Sequence, residues 1–398
     1  MAARPHILIA GAGVGGLTAA LALLRARVDV DIYEQAPELR EVGAGFQISA
    51  NGTRVLYSLG LGPAIESVAW APQGKEIRLW NSGQTWKLFD LGAESVARYG
   101  YPYLMFHRAD LQEVLSRAVR AIKPDAIHLG ARCVAAEPDG TGCTLRIESG
   151  ERVRGDALVG ADGVHSAIRR SLFGTDAPRF LGIMAWRGIV DVASLPAGLL
   201  RPVGTNWVGP GGHIVHYFLR RGELLNFAGF VERDDWKIES WSAEGTKEEC
   251  LRDFAGWHET VHTLIRHFRT PFKWALAGRE PMAQWTTGRA TLLGDACHPM
   301  VPFLAQGAVM ALEDGCVLAR CVAAYDDVAA ALQAYEAVRR ERTARTVRGS
   351  MENAGRFHNM LLSDSAQAEK YVNEQWDPDL IRARYEWLFT YDATSVSV

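Results

Sequence analysis

The apolar run His6–Ala10 ends directly on glycines at 11, 13 and 16, in the stretch HILIAGAGVGG. A short unbroken apolar run suits a strand buried on both faces. Residues 17–27 follow, rich in Ala and Leu at helical spacing. Residues 28–33 then alternate and end at Glu34, 18 residues past Gly16. This is a β-α-β unit of the kind that builds a parallel sheet. The chain must turn tightly from strand to helix, and its backbone must come close to whatever sits at the turn. Gly11, Gly13 and Gly16 permit both without a Cβ clash. A helix starting around Val14 and Gly15 would aim free N–H groups and the positive end of its dipole at an anion. Glu34 would accept hydrogen bonds from ribose hydroxyls. The pattern predicts a dinucleotide pyrophosphate at this turn.

Two later motifs narrow the ligand. Residues 157–169 read ALVGADGVHSAIR, and residues 290–308 read ATLLGDACHPMVPFLAQGA. No second G-x-G-x-x-G precedes a helix, which predicts one stably bound dinucleotide. Gly294 and Asp295 follow an apolar strand over 290–293 and precede a helix over 308–325. The start of that helix, at Gly307, Ala308 and Val309, would offer N–H donors to a flavin ring. Asp295 would accept from a ribityl hydroxyl. The three motifs in this order point to FAD.

The rest of the pattern predicts an α/β protein: a Rossmann-like FAD-binding domain with an inserted mixed or antiparallel sheet and C-terminal helices. Helices are expected over 51–59, with Asn51 as N-cap, over 109–122 and over 328–348. Strands are expected over 126–129, Cys143–Ile147 and Ala157–Gly160, with a turn at 138–140. Residues 179–273 are rich in Trp, Phe and Tyr and hold alternating runs at 213–219 and 224–231; 76–80 and 86–88 are also strand-like. The expected division is an FAD domain of 1–70, 99–178 and 274–345, a substrate domain of 71–98 and 179–273, and a helical tail of 346–398.

Composition excludes several classes. A net charge of −3 over 398 residues gives no electrostatic footprint for nucleic acid. No stretch approaches 18 uncharged apolar residues, so no membrane span is expected, and the N-terminus lacks a signal-peptide shape. The six cysteines form no C-x-x-C and no zinc-like spacing, which predicts free thiols, a reducing cytoplasm and no metal.

HILIAGAGVGG, GADGVHSAIR and LLGDACHPM together resemble the group A flavoprotein aromatic hydroxylases, the para-hydroxybenzoate hydroxylase-like family, through about residue 342. Within it the likeness is to salicylate hydroxylases, 3-hydroxybenzoate 6-hydroxylases and 6-hydroxynicotinate 3-monooxygenases. The resemblance implies resident FAD, NADH or NADPH as transient reductant, and O₂. It implies hydroxylation of a small aromatic acid through a C4a-hydroperoxyflavin, with loss of CO₂ where the attacked carbon bears carboxylate. It also implies a homodimer. Asp162 and Gly163 are implied at the pyrophosphate and at the docking nicotinamide dinucleotide, and Arg108, in FHRADL, at the FAD. The stretch from Arg40 to Gly45 is implied around the ribose and flavin edge, with Gln35 beside Glu34.

Substrate residues are drawn from GGHIVHYFL. An extended strand puts His213, Val215 and Tyr217 on one face and His216 on the other. His213 and Tyr217 are the candidates to orient or deprotonate a phenol. On spacing alone, Tyr217 reads equally as a core aromatic and His213 as a surface residue. The resemblance supports both, and adds Tyr103, Gln47 and Pro302. Two departures bear on the substrate: the 6-hydroxynicotinate enzymes tend to carry His where Gln47 stands, and the 3-hydroxybenzoate enzymes Gln where Pro302 stands. His298 is expected to support its loop. A flavin halogenase, a flavin reductase and a non-enzymatic FAD module are the alternatives. The halogenase signature W-x-W-x-I-P is absent at its nearest candidate, Trp186.

Overall fold

The computed structural model describes residues 5–39, 45–175, 178–233 and 243–398. The strand His6–Ala10 lies in the middle of a six-stranded sheet. It pairs in parallel with Asp29–Tyr33 on one side and Ala157–Gly160 on the other. Ile127–His128 forms one edge; Ala290–Leu292 and the antiparallel Thr286–Thr287 complete the other. Both faces are covered, which is why these strands are short apolar runs. The helix Val14–Arg25 packs on the helix Gly307–Ala324, and a Cβ on Gly315 would lie only 2.7 Å from the Ala19 nitrogen. Small residues on both helices let the two backbones approach.

A second, eight-stranded sheet carries the aromatic region. Its order is Ala243–Glu244, Phe272–Gly278, Arg179–Asp191, Leu224–Glu232, Gly212–Leu219, Gly204–Gly209, Gly74–Leu79, Thr85–Asp90. All pairings are antiparallel except that of Gly204–Gly209 with Gly74–Leu79. Phe272–Gly278 belongs to this sheet, so a division at 273/274 falls inside a strand. Alternation does not mark that end, because Trp274, Leu276 and their neighbours read as one continuous apolar stretch.

Several local expectations are corrected. Ser49, not Asn51, is the N-cap of the helix Ala50–Ser58. Asn51 sits inside the first turn, and its amide donates to Glu313 (2.7 Å) and Gln306 (3.2 Å). The last long helix runs Val328–Phe357 without a break, past the expected end at 348 and through the 345/346 division. Beyond it, Ser365–Gln375 and Pro378–Phe389 are helices, each with an aspartate N-cap at 364 and 377. They return to the second sheet: Phe389 and Tyr385 pack edge-on against Phe89 and Tyr103. No helix among the described residues is long and apolar enough to cross a membrane. All six cysteines are free and buried.

A sealed cluster of charges joins the long helices to the loop after Ala290–Leu292. Arg339 has no solvent exposure, and its guanidinium meets Glu313 and Asp314, each at 2.7 Å. Arg342 also holds Glu313. Asp314 in turn accepts from the Gly294 N–H (3.1 Å) and pairs with His298 (2.6 Å). Removing one partner of a buried pair leaves an uncompensated charge, at a cost of about 3–5 kcal/mol. Arg339→Met is therefore expected to lower stability by about that much, read as a fall in the urea midpoint of the FAD-loaded protein.

Candidate active site

The six-stranded sheet, the eight-stranded sheet and the C-terminal helices border a cavity of about 380 Å³. One end is the glycine turn. Gly11 takes φ of +101°, and its Cβ would strike the Ala161 carbonyl at 2.5 Å; a Cβ on Gly16 would strike the Gly11 carbonyl at 2.1 Å. These two glycines are demanded by the protein itself. Gly13 differs: a Cβ there meets nothing within 4 Å, because it points into open space. Gly13, Val14 and Gly15 border the cavity. Helix geometry leaves the first-turn N–H groups without intrahelical acceptors, and no side chain caps them. A diphosphate in front of Gly13 would meet bare N–H donors and the dipole.

The loop after the strand Ala290–Leu292 forms the next wall. Asp295 borders the cavity, and its carboxylate makes no hydrogen bond to the described residues. Burial raises its pKa, against the pull of His298 and Arg108. A second helix N-terminus, at Gly307 and Ala308, faces the same space, and its N-cap Gln306 does not cap it. The Gln306 amide is turned away to Ser49. Pro302 also borders the cavity. The residues present thus fit a flavin dinucleotide: an unfilled cradle at Gly13, a free acceptor at Asp295, and two uncapped helix starts.

Not every expected cofactor residue meets the cavity. The Asp162 carboxylate is committed to the helix Ala167–Phe173, accepting from Ser166 Oγ and from the N–H groups of Ala167 (2.7 Å) and Ile168 (3.1 Å). Its neighbour Gly163, at φ +76°, is what borders the space. Glu34 stays beside the glycine turn, with its oxygens accepting from Ala12 (2.7 Å) and Ala36 (2.9 Å). Gln35 is exposed and outside the wall. Val309 is fully buried, and a Cβ on Gly52 would touch its Cγ1 at 3.1 Å. Arg108 begins its helix at the cavity wall. Gly45 borders the cavity and donates to Asn226 (2.9 Å). Arg40 lies outside the described residues.

The eight-stranded sheet supplies the far wall. The alternation of Gly212–Leu219 holds: His213, Val215 and Tyr217 border the cavity, and His216 packs on the opposite face near Trp207. Tyr217 is buried, which pushes its phenol well above its ordinary range. His213 lies against the wall with no accessible surface of its own. It stacks on Phe230 (4.5 Å), meets Phe303 edge-on (4.8 Å), and its Nδ1 is 2.6 Å from His358 Nε2. His358 continues to Glu232 at 3.0 Å. Burial, then the neighbouring His358, hold the His213 pKa well below its usual value, so the ring is neutral. Gln47 borders the cavity, and Tyr103 sits one layer behind, donating to Gln47 at 2.7 Å.

The sequence reading passed over Lys75, Arg187, Asn206, Asn226 and Tyr385, all of which border the cavity. Lys75 carried a signal: alternation in Gly74–Leu79 puts it on the same face as the buried Ile77 and Leu79. Its amine donates to Tyr103 (2.9 Å), which burial keeps protonated. The Arg187 guanidinium lies 4.5 Å over the Trp274 ring.

Comparison with known proteins agrees with this geometry. A family profile described as FAD binding domain matches residues 4–350. The chain is 39% identical to a 3-amino-4-hydroxybenzoate 2-monooxygenase, PtnB3, of Streptomyces platensis, covering 99% of this chain and 98% of that protein. It is 35% identical to 6-hydroxynicotinate 3-monooxygenase of Pseudomonas fluorescens, over 89% and 92%. Among solved structures it is similar to Klebsiella pneumoniae HpxO complexed with FAD and uric acid. The TM-score is 0.82 at 28% identity, over 95% of this chain and 96% of that one.

Two glycine variants separate fold from cofactor. Gly13→Val should fold and lose its yellow flavin, because only the ligand occupies the space the side chain would fill. Gly16→Ala should fail to fold or lose much stability, because its neighbour is backbone. Flavin absorbance and circular dichroism of the two purified proteins check this.

Proposed function

This chain belongs to the FAD-binding-domain family of flavin-dependent aromatic monooxygenases, and on that premise we propose that its substrate is a small aromatic acid carrying a ring hydroxyl. The observation that carries the reading is the cavity wall. Among the described residues it offers the cations Lys75, Arg108 and Arg187 against the single acid Asp295, which belongs to the flavin end. Phe89, Trp274 and Phe303 line the rest. A flat anion fits such a surface: apolar faces for the ring and positive charge for the carboxylate. The named relatives support it, since 3-amino-4-hydroxybenzoate and 6-hydroxynicotinate both combine a ring hydroxyl with a carboxylate.

Bound FAD supplies the electrons, taken from NADH or NADPH, and the activated oxygen that ring hydroxylation needs. The protein's share is placement and exclusion of water. Val14, Gly15 and the helix start at Gly307 would hold the cofactor's anionic and polar groups. Tyr217, kept protonated by burial, donates to the substrate's oxygen. His213 stays neutral and is a positioning residue: it fixes Phe230 and Phe303 from behind through its rings and its bond to His358. Carbon dioxide would leave where the hydroxylated ring carbon bears the carboxylate.

Oxygen uptake with NADH and NADPH tests the reading against 3-amino-4-hydroxybenzoate, 3-hydroxybenzoate, 6-hydroxynicotinate and salicylate. One of these acids should accelerate reductant oxidation and yield a product carrying one added oxygen by mass spectrometry. Acceleration by none of them would remove the proposal. His213→Ala should keep its flavin but lower the ratio of product formed to reductant consumed, and raise KM more than it lowers kcat.

A further inference from the structure

A buried cation is costly unless a counter-charge or hydrogen bonds compensate it. Arg339 and Arg342 obey that rule, matched by Glu313 and Asp314. Lys75 does not. Its amine borders the cavity, and its polar contact is the Tyr103 hydroxyl at 2.9 Å. No carboxylate among the described residues pairs with it. The adjacent acid in sequence, Glu76, is on the other face of the strand, taken by Arg78 (2.8 Å), Arg201 (2.9 Å) and Thr205 (3.0 Å).

Behind the amine the structure is built to hold it in place. Tyr103 donates onward to Gln47 at 2.7 Å, and the Lys75 ammonium lies 4.9 Å from the centroid of the Tyr103 ring. The stem runs beside Gly204 of the neighbouring strand, where a Cβ would come to 3.4 Å from Lys75 Cγ. The Tyr103 oxygen takes one of the amine's hydrogen bonds, and the residue also borders the cavity.

Resting on the functional reading above, we propose that Lys75 is the residue that recognises the substrate's carboxylate, and so selects aromatic acids over the same rings without the acid group. The missing counter-charge is then brought by the substrate. Burial pushes the empty-site amine down to about 7. An incoming carboxylate favours the ammonium and raises that pKa again, so acid binding above neutral pH takes up a proton. Tyr103, Tyr217 and Tyr385 around it are held neutral by burial, and His213 is also neutral. Arg108, Arg187 and Asp295 share the cavity.

The test uses FAD-loaded enzyme and two probes, 3-amino-4-hydroxybenzoate and its decarboxylated counterpart 2-aminophenol. Binding is followed by flavin absorbance and by calorimetry at pH 8 in buffers of different ionisation enthalpy. Lys75→Met removes the charge and keeps the length; it buries no new charge and should fold and hold flavin. It is expected to weaken the acid roughly 10- to 100-fold, the range for one charge-assisted hydrogen bond. 2-Aminophenol should bind it as it binds wild type, the proton uptake should vanish, and Lys75→Arg should restore part of the acid's affinity. Equal weakening of both probes, or unchanged acid binding, overturns the assignment while leaving the functional reading intact. Failure of wild type to bind the acid overturns the assignment, and failure to bind any of the four acids named above overturns the functional reading with it.

Discussion

A cluster of charges closed off from water decides the shape of everything around the cofactor cradle. Arg339, Arg342, Glu313, Asp314 and His298 come from two long helices and one loop, and each would be intolerable in that position alone. Their mutual pairing offsets that cost. Asp314 is the pivot: one oxygen takes Arg339, the other takes both His298 and the Gly294 N–H. Burial alone would lower the His298 pKa, but Cys297 and Asp314 outweigh it and hold the ring protonated. The Gly294-Asp295 loop is thereby clamped against the helix Gly307–Ala324. Asp295 and the uncapped start of that helix end up facing the same space.

The same cluster reaches the opposite side of the cavity. Glu313 accepts from Asn51, whose neighbour Ser49 accepts from Gln306. Ser49 follows Gly45–Ile48 directly, the strand that carries Gln47. A single polar network so connects the flavin-facing loop to the strand behind the substrate pocket. Gly45, at that strand's start, is tied by Asn226 to the eight-stranded sheet. The large sheet is thus anchored to the glycine-turn sheet through side-chain amides, while its own face supplies Lys75, Tyr217 and Arg187. Cofactor end and substrate end are set by one set of contacts.

Legibility in the sequence followed the range of the force involved. Gly11 and Gly16 were readable because the strand-to-helix turn itself constrains them: Gly11 takes φ of +101°, and a Cβ on Gly16 would lie 2.1 Å from the Gly11 carbonyl. The alternation of 213–219 was readable because a strand's faces follow from period two. Asn51 was misplaced as a cap because its true partner, Glu313, lies 262 residues away. Asp162 is instead taken by the start of the next helix, at Ser166, Ala167 and Ile168, while Val309 turns inward against Gly52, more than 250 residues away. Lys75 escaped notice because a lone lysine in a strand reads as solvated until the opposing wall is known. The C-terminal helices were the least legible part. Their mixed pattern makes sense only against Phe89 and Tyr103, the aromatics they cover.

From its own residues the chain determined the nature of its ligand and the class of its chemistry. Glycines at a strand-to-helix turn and an acid at a second turn specify backbone shapes that a flavin dinucleotide requires, and backbone shape is dictated by neighbours in the chain. Only the tertiary structure decided which side chains meet the substrate. Charge, burial and vacancy at a cavity wall belong to no single segment. They arise where strands more than a hundred residues apart, such as Gly74–Leu79 and Gly204–Gly209, are brought side by side.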